Sequence, residues 1–152
     1  MAFEDPGFLG RGWAFPPSFD PHTGEATLVS AAEDINQSLR ILFETRPGER
    51  VMHPEFGCRI HDYLFDPMNN ATMRAIEAAI ARAILFYEAR IQTHSVRAQI
   101  KTRQDQIDAG SGQLDIAVLY TITQTNTRHN AVFPFYITQG TLITDKPIEV
   151  LE

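Results

Sequence analysis

The chain has 152 residues, a net charge of −6 and a pI near 5.3, with 43 % apolar and 21 % charged residues. That length suits one domain with one sizeable core, and that balance suits a folded chain rather than a disordered one. The acidic charge, with Lys and Arg scattered and only two lysines (Lys101 and Lys146), lacks the basic footprint of a nucleic-acid binder.

Residues 1–27 read as an irregular N-terminal arm, broken by Pro6, Pro16, Pro17 and Pro21 and by four glycines. "GWAFPP" can hold a short strand that stops at the proline pair. Core packing is the favoured fate of Trp13 and Phe15, with anchoring on a partner as the alternative. The start of the chain has no basic and apolar pattern of a signal peptide, and no run approaches the ~20 apolar residues of a membrane helix.

Residues 28–143 read as a single α+β domain. "SAAEDINQSLRILFET" is its first helix. Ser30 and Glu33 are spaced as a capping box. Ile35, Leu39, Leu42 and Phe43 fall on one stripe, and Pro47-Gly48 ends the element. Arg46 to Asn70 follows without a sustained period, yet it holds too many apolar groups for a free linker, and "CRIHDYLF" invites a short helical turn.

Asn70 is the expected N-cap of a second helix, "NATMRAIEAAIARAILFY". Its stripe is Met73, Ile76, Ile80, Ala83, Ile84 and Tyr87, with Arg74 and Glu77 on the other face. Three strands come next: "IQTHSVRAQIK", "QLDIAVLYTIT" and "NAVFPFYIT", the second alternating strictly. The short connections "DAGSG" and "TNTRHN" make the strands an antiparallel meander. Pro134 cannot donate to a ladder, so the third strand belongs at an edge. The expected architecture is two main helices on one face of a three-stranded antiparallel sheet, with residues 144–152 as a tail.

Candidate chemistry is sparse. His22, His53, His61, His94 and His129 meet no metal-ligand spacing, and with one cysteine a zinc site is not expected. Phosphate loops, dinucleotide fingerprints and nucleophile elbows are absent from the sequence. Cys58, near His53 and His61, is a conceivable nucleophile, but a small buried apolar residue is the commoner fate of a free cysteine. Glu88 could serve as one of two carboxyls of a glycoside hydrolase, with Asp62 or Asp66 as partner. Arg90 argues against this, because a neighbouring cation lowers a carboxyl pKa. Two opposite charges at i and i+2 in "YEAR" share no helix face. They therefore sit either as a solvated pair or as a pair that meets partner charges.

The segments "FLGRGWAFPP", "EDINQSLRILFETRPGERVMHPEFGCRIHDYLFDP" and "YEARI" occur in that order, across about residues 8–137. Together they resemble the baseplate wedge family of contractile tails. That family takes in the T4 gene-25-type "lysozyme-like" protein, its counterpart in type VI secretion baseplates and homologues in extracellular contractile particles. "TRPGERVMHPEFG" is the most specific part.

The resemblance implies a structural assembly protein with no catalytic residues, cofactor or metal. It implies docking on the core bundle of larger wedge subunits and initiation of the sheath, with hub or tube proteins as further neighbours. Charge and hydropathy point to no nucleic acid and no membrane, with synthesis in the cytoplasm, and the resemblance to incorporation into a phage tail or a tail-like particle. The family's Glu-Pro-Arg signature matches Glu88 and Arg90, with Ala89 where the family has proline. Glu88 and Arg90 are thereby candidate protein-binding residues. The proline-bearing edge makes Phe133, Phe135 and Ile137 candidates for strand augmentation, although Pro134 could equally be there to block pairing. The alternative is a peptidoglycan hydrolase with Glu88 as its acid.

Overall fold

The computed structural model of the chain describes residues 10–101 and 113–136, without the side chains of Ser30, Ala31, Lys101 and Tyr136. Helix α1 (Ala31–Glu44) places Glu33 and Asp34 in its first turn, where acidic groups suit the helix dipole. Ile35, Leu39, Leu42 and Phe43 are all buried, as their spacing predicts. A 3₁₀ turn (Arg59–Tyr63) occupies the middle of the long connection and buries Ile60. Gly57 precedes it at φ +133°, and a Cβ there would run into the backbone of Thr45 and Arg46. The chain can therefore fold back tightly enough for Cys58 N–H to donate to Thr45 O at 2.9 Å.

Helix α2 (Asn70–Tyr87) buries Ile76, Ile80, Ala83 and Ile84. Its N-cap is Asn69 and not Asn70. The Asn69 side chain accepts the Thr72 N–H at 2.9 Å, the usual N-cap to N3 reach, and Asn70 is already helical.

Strands β3 (Ile91–Lys101), β4 (Gln113–Ile122) and β5 (Thr127–Tyr136) form one antiparallel sheet in the order β3-β4-β5. Both helices close its inner face. Phe43 of α1 meets Phe133 edge-on at 5.1 Å, and Ile76, Ile80 and Ile84 of α2 join Leu114, Ile116, Val118, Tyr120 and Ile122 in one core. The β4–β5 turn is tighter than expected. Asn126, at φ 53°, closes it, and Arg128 to Asn130 already pair with β4. The "DAGSG" connection and the "DKPIEVLE" tail lie outside the described residues.

The N-terminal strand is real but short. β1 (Arg11–Trp13) pairs antiparallel with an unforeseen β2 (Leu28–Ser30) immediately before α1. It ends at Trp13, before the cis Phe15–Pro16 bond. Core packing does not hold for the two aromatics. Trp13 is 66 % exposed and packs edge-on against Phe19, and Phe15 is also exposed, with the Arg40 guanidinium over its ring. A two-stranded ribbon lying against one helix has no second layer in which to bury them.

Candidate functional site

The candidate site is the junction of α2 and β3. Glu88 caps α2, donating its N–H to Ile84 O at 2.9 Å, and leaves the helical region at φ −127°, ψ 80°. The chain then turns through Ala89 and enters β3 at Ile91. This turn brings two charges together that could not meet on one helix face.

Arg90 grips Glu88 with two parallel bonds, Nε to Oε1 at 2.7 Å and Nη2 to Oε2 at 2.8 Å. Such a fork-to-carboxylate pair is the strongest form of ion pair. The third guanidinium nitrogen, Nη1, donates to Asp34 Oδ2 in the first turn of α1 at 2.6 Å. Ser38, one helical turn on from Asp34, donates its hydroxyl to Glu88 Oε2 at 2.8 Å. The Glu88 side chain is only 4 % exposed, and Arg90 keeps a partly open flank.

Strand β1 lies against this cluster. A Cβ on Gly12 would collide with the Asp34 carboxylate, so glycine lets β1 approach with that carboxylate still bonded to Arg90. Below the cluster, Tyr120 donates its hydroxyl to Asn36 Oδ1 at 2.7 Å.

The electrostatics follow from this packing. Burial pushes the Glu88 carboxyl up, but the bonds from Arg90 and Ser38 with the Arg90 charge outweigh it and hold it below the usual range. The bonds to Glu88 and then Asp34 raise Arg90 against its own burial, so it stays charged. Tyr120 is pushed up to about 12 by burial and by the Glu88 charge. A carboxyl held ionised in this way is a poor general acid. Burial likewise pushes the Cys58 thiol up to about 11, which removes the thiolate a nucleophile needs. Among the described residues no cluster of three potential ligands could hold a metal, and no helix is long and apolar enough to cross a membrane.

The other expected site residues lie elsewhere. Phe133 and Phe135 of β5 point into the core, and His61 packs edge-on against Phe135. Their backbone groups face β4, opposite Ile116 and Leu114, and not the open edge. Ile137 lies outside the described residues.

Both sheet edges carry a specific device. Glu77 does not sit on the far face of α2 as expected, but accepts the Ala98 N–H of β3 at 2.9 Å. The backbone of Ala98 therefore faces away from β4. By the alternation of an antiparallel ladder, Val96 faces outward too, while Gln99 exchanges bonds with Asp115. Asp115 is thereby turned toward β3, and Pro134, opposite it on β5, directs its missing N–H to the open edge. The proline costs the sheet no internal bond.

Residues 29–127 match the family model described as baseplate wedge protein gp25. The chain belongs to the gp25 baseplate wedge family. It is 40 % identical over 62 residues to baseplate wedge protein gp25 of Enterobacteria phage T4, a match that covers 41 % of this chain and 47 % of the T4 protein. The chain thus matches about half the length of that relative. A chain in the baseplate of the anti-feeding prophage is 34 % identical, with a TM-score of 0.66, and the match covers 76 % of this chain and 87 % of that one. A protein of Geobacter sulfurreducens described as a candidate tail lysozyme is 40 % identical, with a TM-score of 0.61, covering 79 % of this chain and 98 % of that one.

Within the gp25 family match fall α1, α2, β3, β4 and the Glu88–Arg90–Asp34 cluster. The internal Asp34 partner of Arg90 was missed from sequence. Asp34 was recognisable as a first-turn acid, but nothing local links it to a residue in the turn before β3.

Proposed function

We propose that this chain is a structural subunit of the baseplate wedge in a contractile phage tail or tail-like particle. It docks on the larger wedge subunits and initiates sheath assembly by adding its sheet to strands of the sheath protein. The observation that carries this reading is the 34 % identical fit to a chain of the anti-feeding prophage baseplate. Two features support strand addition. β5 is an edge strand whose single missing donor faces outward, and β3 has outward backbone groups at Val96, beside the Glu77-capped Ala98.

In this reading Glu88 and Arg90 act chiefly by holding the α2–β3 junction in the shape the wedge bundle meets, and the open flank of Arg90 is what remains for direct contact. On β5 the groups open to an added strand are the backbone of Val132 and the carbonyl of Pro134, because Phe133 and Phe135 pair their backbone with β4. The test is co-expression with the wedge and sheath proteins of the same particle, and imaging of particles from which it is deleted. Co-purification with wedge proteins and loss of sheath in the deletion are expected. If it joins neither, and sheaths form without it, the proposal is lost.

The description of the Geobacter relative keeps a peptidoglycan hydrolase in view. The lowered Glu88 carboxyl weighs against it. A turbidity assay on cell walls decides the matter: clearing that disappears with Glu88→Gln would establish the hydrolase.

A further inference from the structure

Away from the junction cluster, a ladder of rings and guanidiniums runs across the surface where the long connection meets the end of α2. The Arg50 guanidinium lies over the Phe56 ring at 4.0 Å. Phe56 meets Tyr87 edge-on at 5.1 Å, and the Tyr87 hydroxyl donates to Glu55 O. Tyr87 adjoins Phe86 at 6.4 Å, and the Arg82 guanidinium lies over Phe86 at 5.7 Å.

Phe86 is 65 % exposed, and Val51 and Met52, next to Arg50, are 94 % and 86 % exposed. These apolar groups project from ordered backbone. Gly48 N–H and Phe56 N–H donate to Pro54 O and His53 O, so the segment that carries them is folded on itself. Exposed apolar and aromatic groups on ordered backbone mark an interaction site, and Phe, Tyr, Met and Arg are the residue types enriched there.

The charge pattern identifies the partner's chemistry. In a chain of net charge −6, neither Arg50 nor Arg82 forms an ion pair with a described residue. A guanidinium that sits over a ring uses its face and leaves its planar N–H donors free at the edge, already oriented for a carboxylate. Holding the fork in place before binding lowers the ordering cost of the contact.

We infer that this ladder docks another protein subunit of the same particle, through a segment that presents an apolar side chain flanked by carboxylates. The apolar side chain packs on the exposed Phe86 of the ladder, and the carboxylates take the Arg50 and Arg82 forks. The inference rests on the reading of the chain as a wedge subunit and adds to it a second contact, made by residues other than Glu88, Arg90 and the sheet edges.

The test uses the full chain and the purified wedge proteins of the same particle, with binding measured across a salt series. The variants are R50E/R82E, R50Q/R82Q and F86S. All three positions are exposed, so the melting midpoint should stay at the wild-type value. Binding weakened roughly tenfold or more in each variant is expected, with the wild-type salt dependence flattened in R50Q/R82Q. Carboxylate-to-lysine changes on the partner should restore R50E/R82E.

Wild-type binding that survives all three variants overturns the inference and leaves the wedge reading standing. Wild-type chain that binds no wedge protein overturns both. Self-association of the chain that the variants abolish, with wedge binding intact, assigns the ladder to a second copy and overturns the inference as stated. Should a variant melt early, R50K/R82K, which keeps the charge and loses the planar fork, decides the matter. Unchanged binding there sinks the carboxylate-fork contact, and weakened binding supports it.

Discussion

Arg90 reaches Asp34, fifty-six positions earlier in the chain, at 2.6 Å, while its other two nitrogens hold Glu88. One side chain thus ties the start of α1, the end of α2 and the start of β3. Removing it leaves Glu88 buried without its cation, the most costly way to break an ion pair. Arg90→Met should destabilise the free subunit by about 3 kcal/mol, and urea denaturation measures it. Asp34→Asn should cost less, because both bonds to Glu88 survive. A loss in Arg90→Met no larger than in Asp34→Asn would show that the grip on Glu88 is not what stabilises the junction.

The same cluster sets an acid response. The folded Glu88 carboxyl is lowered, so the unfolded chain binds its proton first as pH falls. Its contribution is present above the unfolded carboxyl value of about 4.3 and is lost as pH falls through the lower folded value. Stability of the wild type should therefore drop below about pH 4.3 more steeply than that of Glu88→Gln. Parallel slopes from pH 5 to pH 3 in denaturant titrations would contradict this.

The resemblance to the family's Glu-Pro-Arg signature puts Ala89 at the proline position, and two observations favour a proline there. Glu88, at φ −127°, ψ 80°, already sits outside the α region that a following proline disfavours. Ala89 donates no backbone hydrogen bond to a described residue, and its side chain is exposed. Ala89→Pro should raise stability by about 0.4–1 kcal/mol, by restricting the unfolded chain. A fall in melting midpoint would mean that the turn needs a different backbone angle.

Glu77 protects a sheet-edge amide from a neighbouring helix. Glu77→Ala should speed hydrogen exchange at Ala98 by roughly tenfold or more, since a bond to a charged acceptor is worth about 1.5–3 kcal/mol. Exchange at Ile116 in the middle of the sheet should be unaffected. Glu77→Gln retains an acceptor and should keep most of the protection. Equal exchange in all three proteins would remove Glu77 from the edge.

Periodic features were legible in the sequence because they depend on neighbours within a few positions. The α1 stripe Ile35, Leu39, Leu42 and Phe43 and the β4 alternation Leu114 to Ile122 are both buried on the side their spacing indicates. The edge position of β5 followed from one missing donor at Pro134. What escaped depends on residues far apart. Glu77 looked like a solvent-face residue until β3 lay beside it. Trp13 and Phe15 looked like core until their ribbon proved to lack a covering layer. The Glu88–Arg90 pair was open between surface and interface because its third member, Asp34, lies on another element. The offset from Asn70 to Asn69 is a one-residue choice between two adequate caps.

The three-way grip of Arg90 also orders events in time. Its bonds to Glu88 span two positions and can form as soon as α2 ends, whereas the bond to Asp34 requires a loop of more than fifty residues to close. The short-span contact carries the smaller closure cost. The corner of α2 and β3 is therefore expected to take shape before α1 docks. The arrival of α1 adds the Asp34 bond, and by way of Gly12 it brings β1 to rest against the finished corner. The earlier segment, β1 with α1, is then expected to lock in place after the later one.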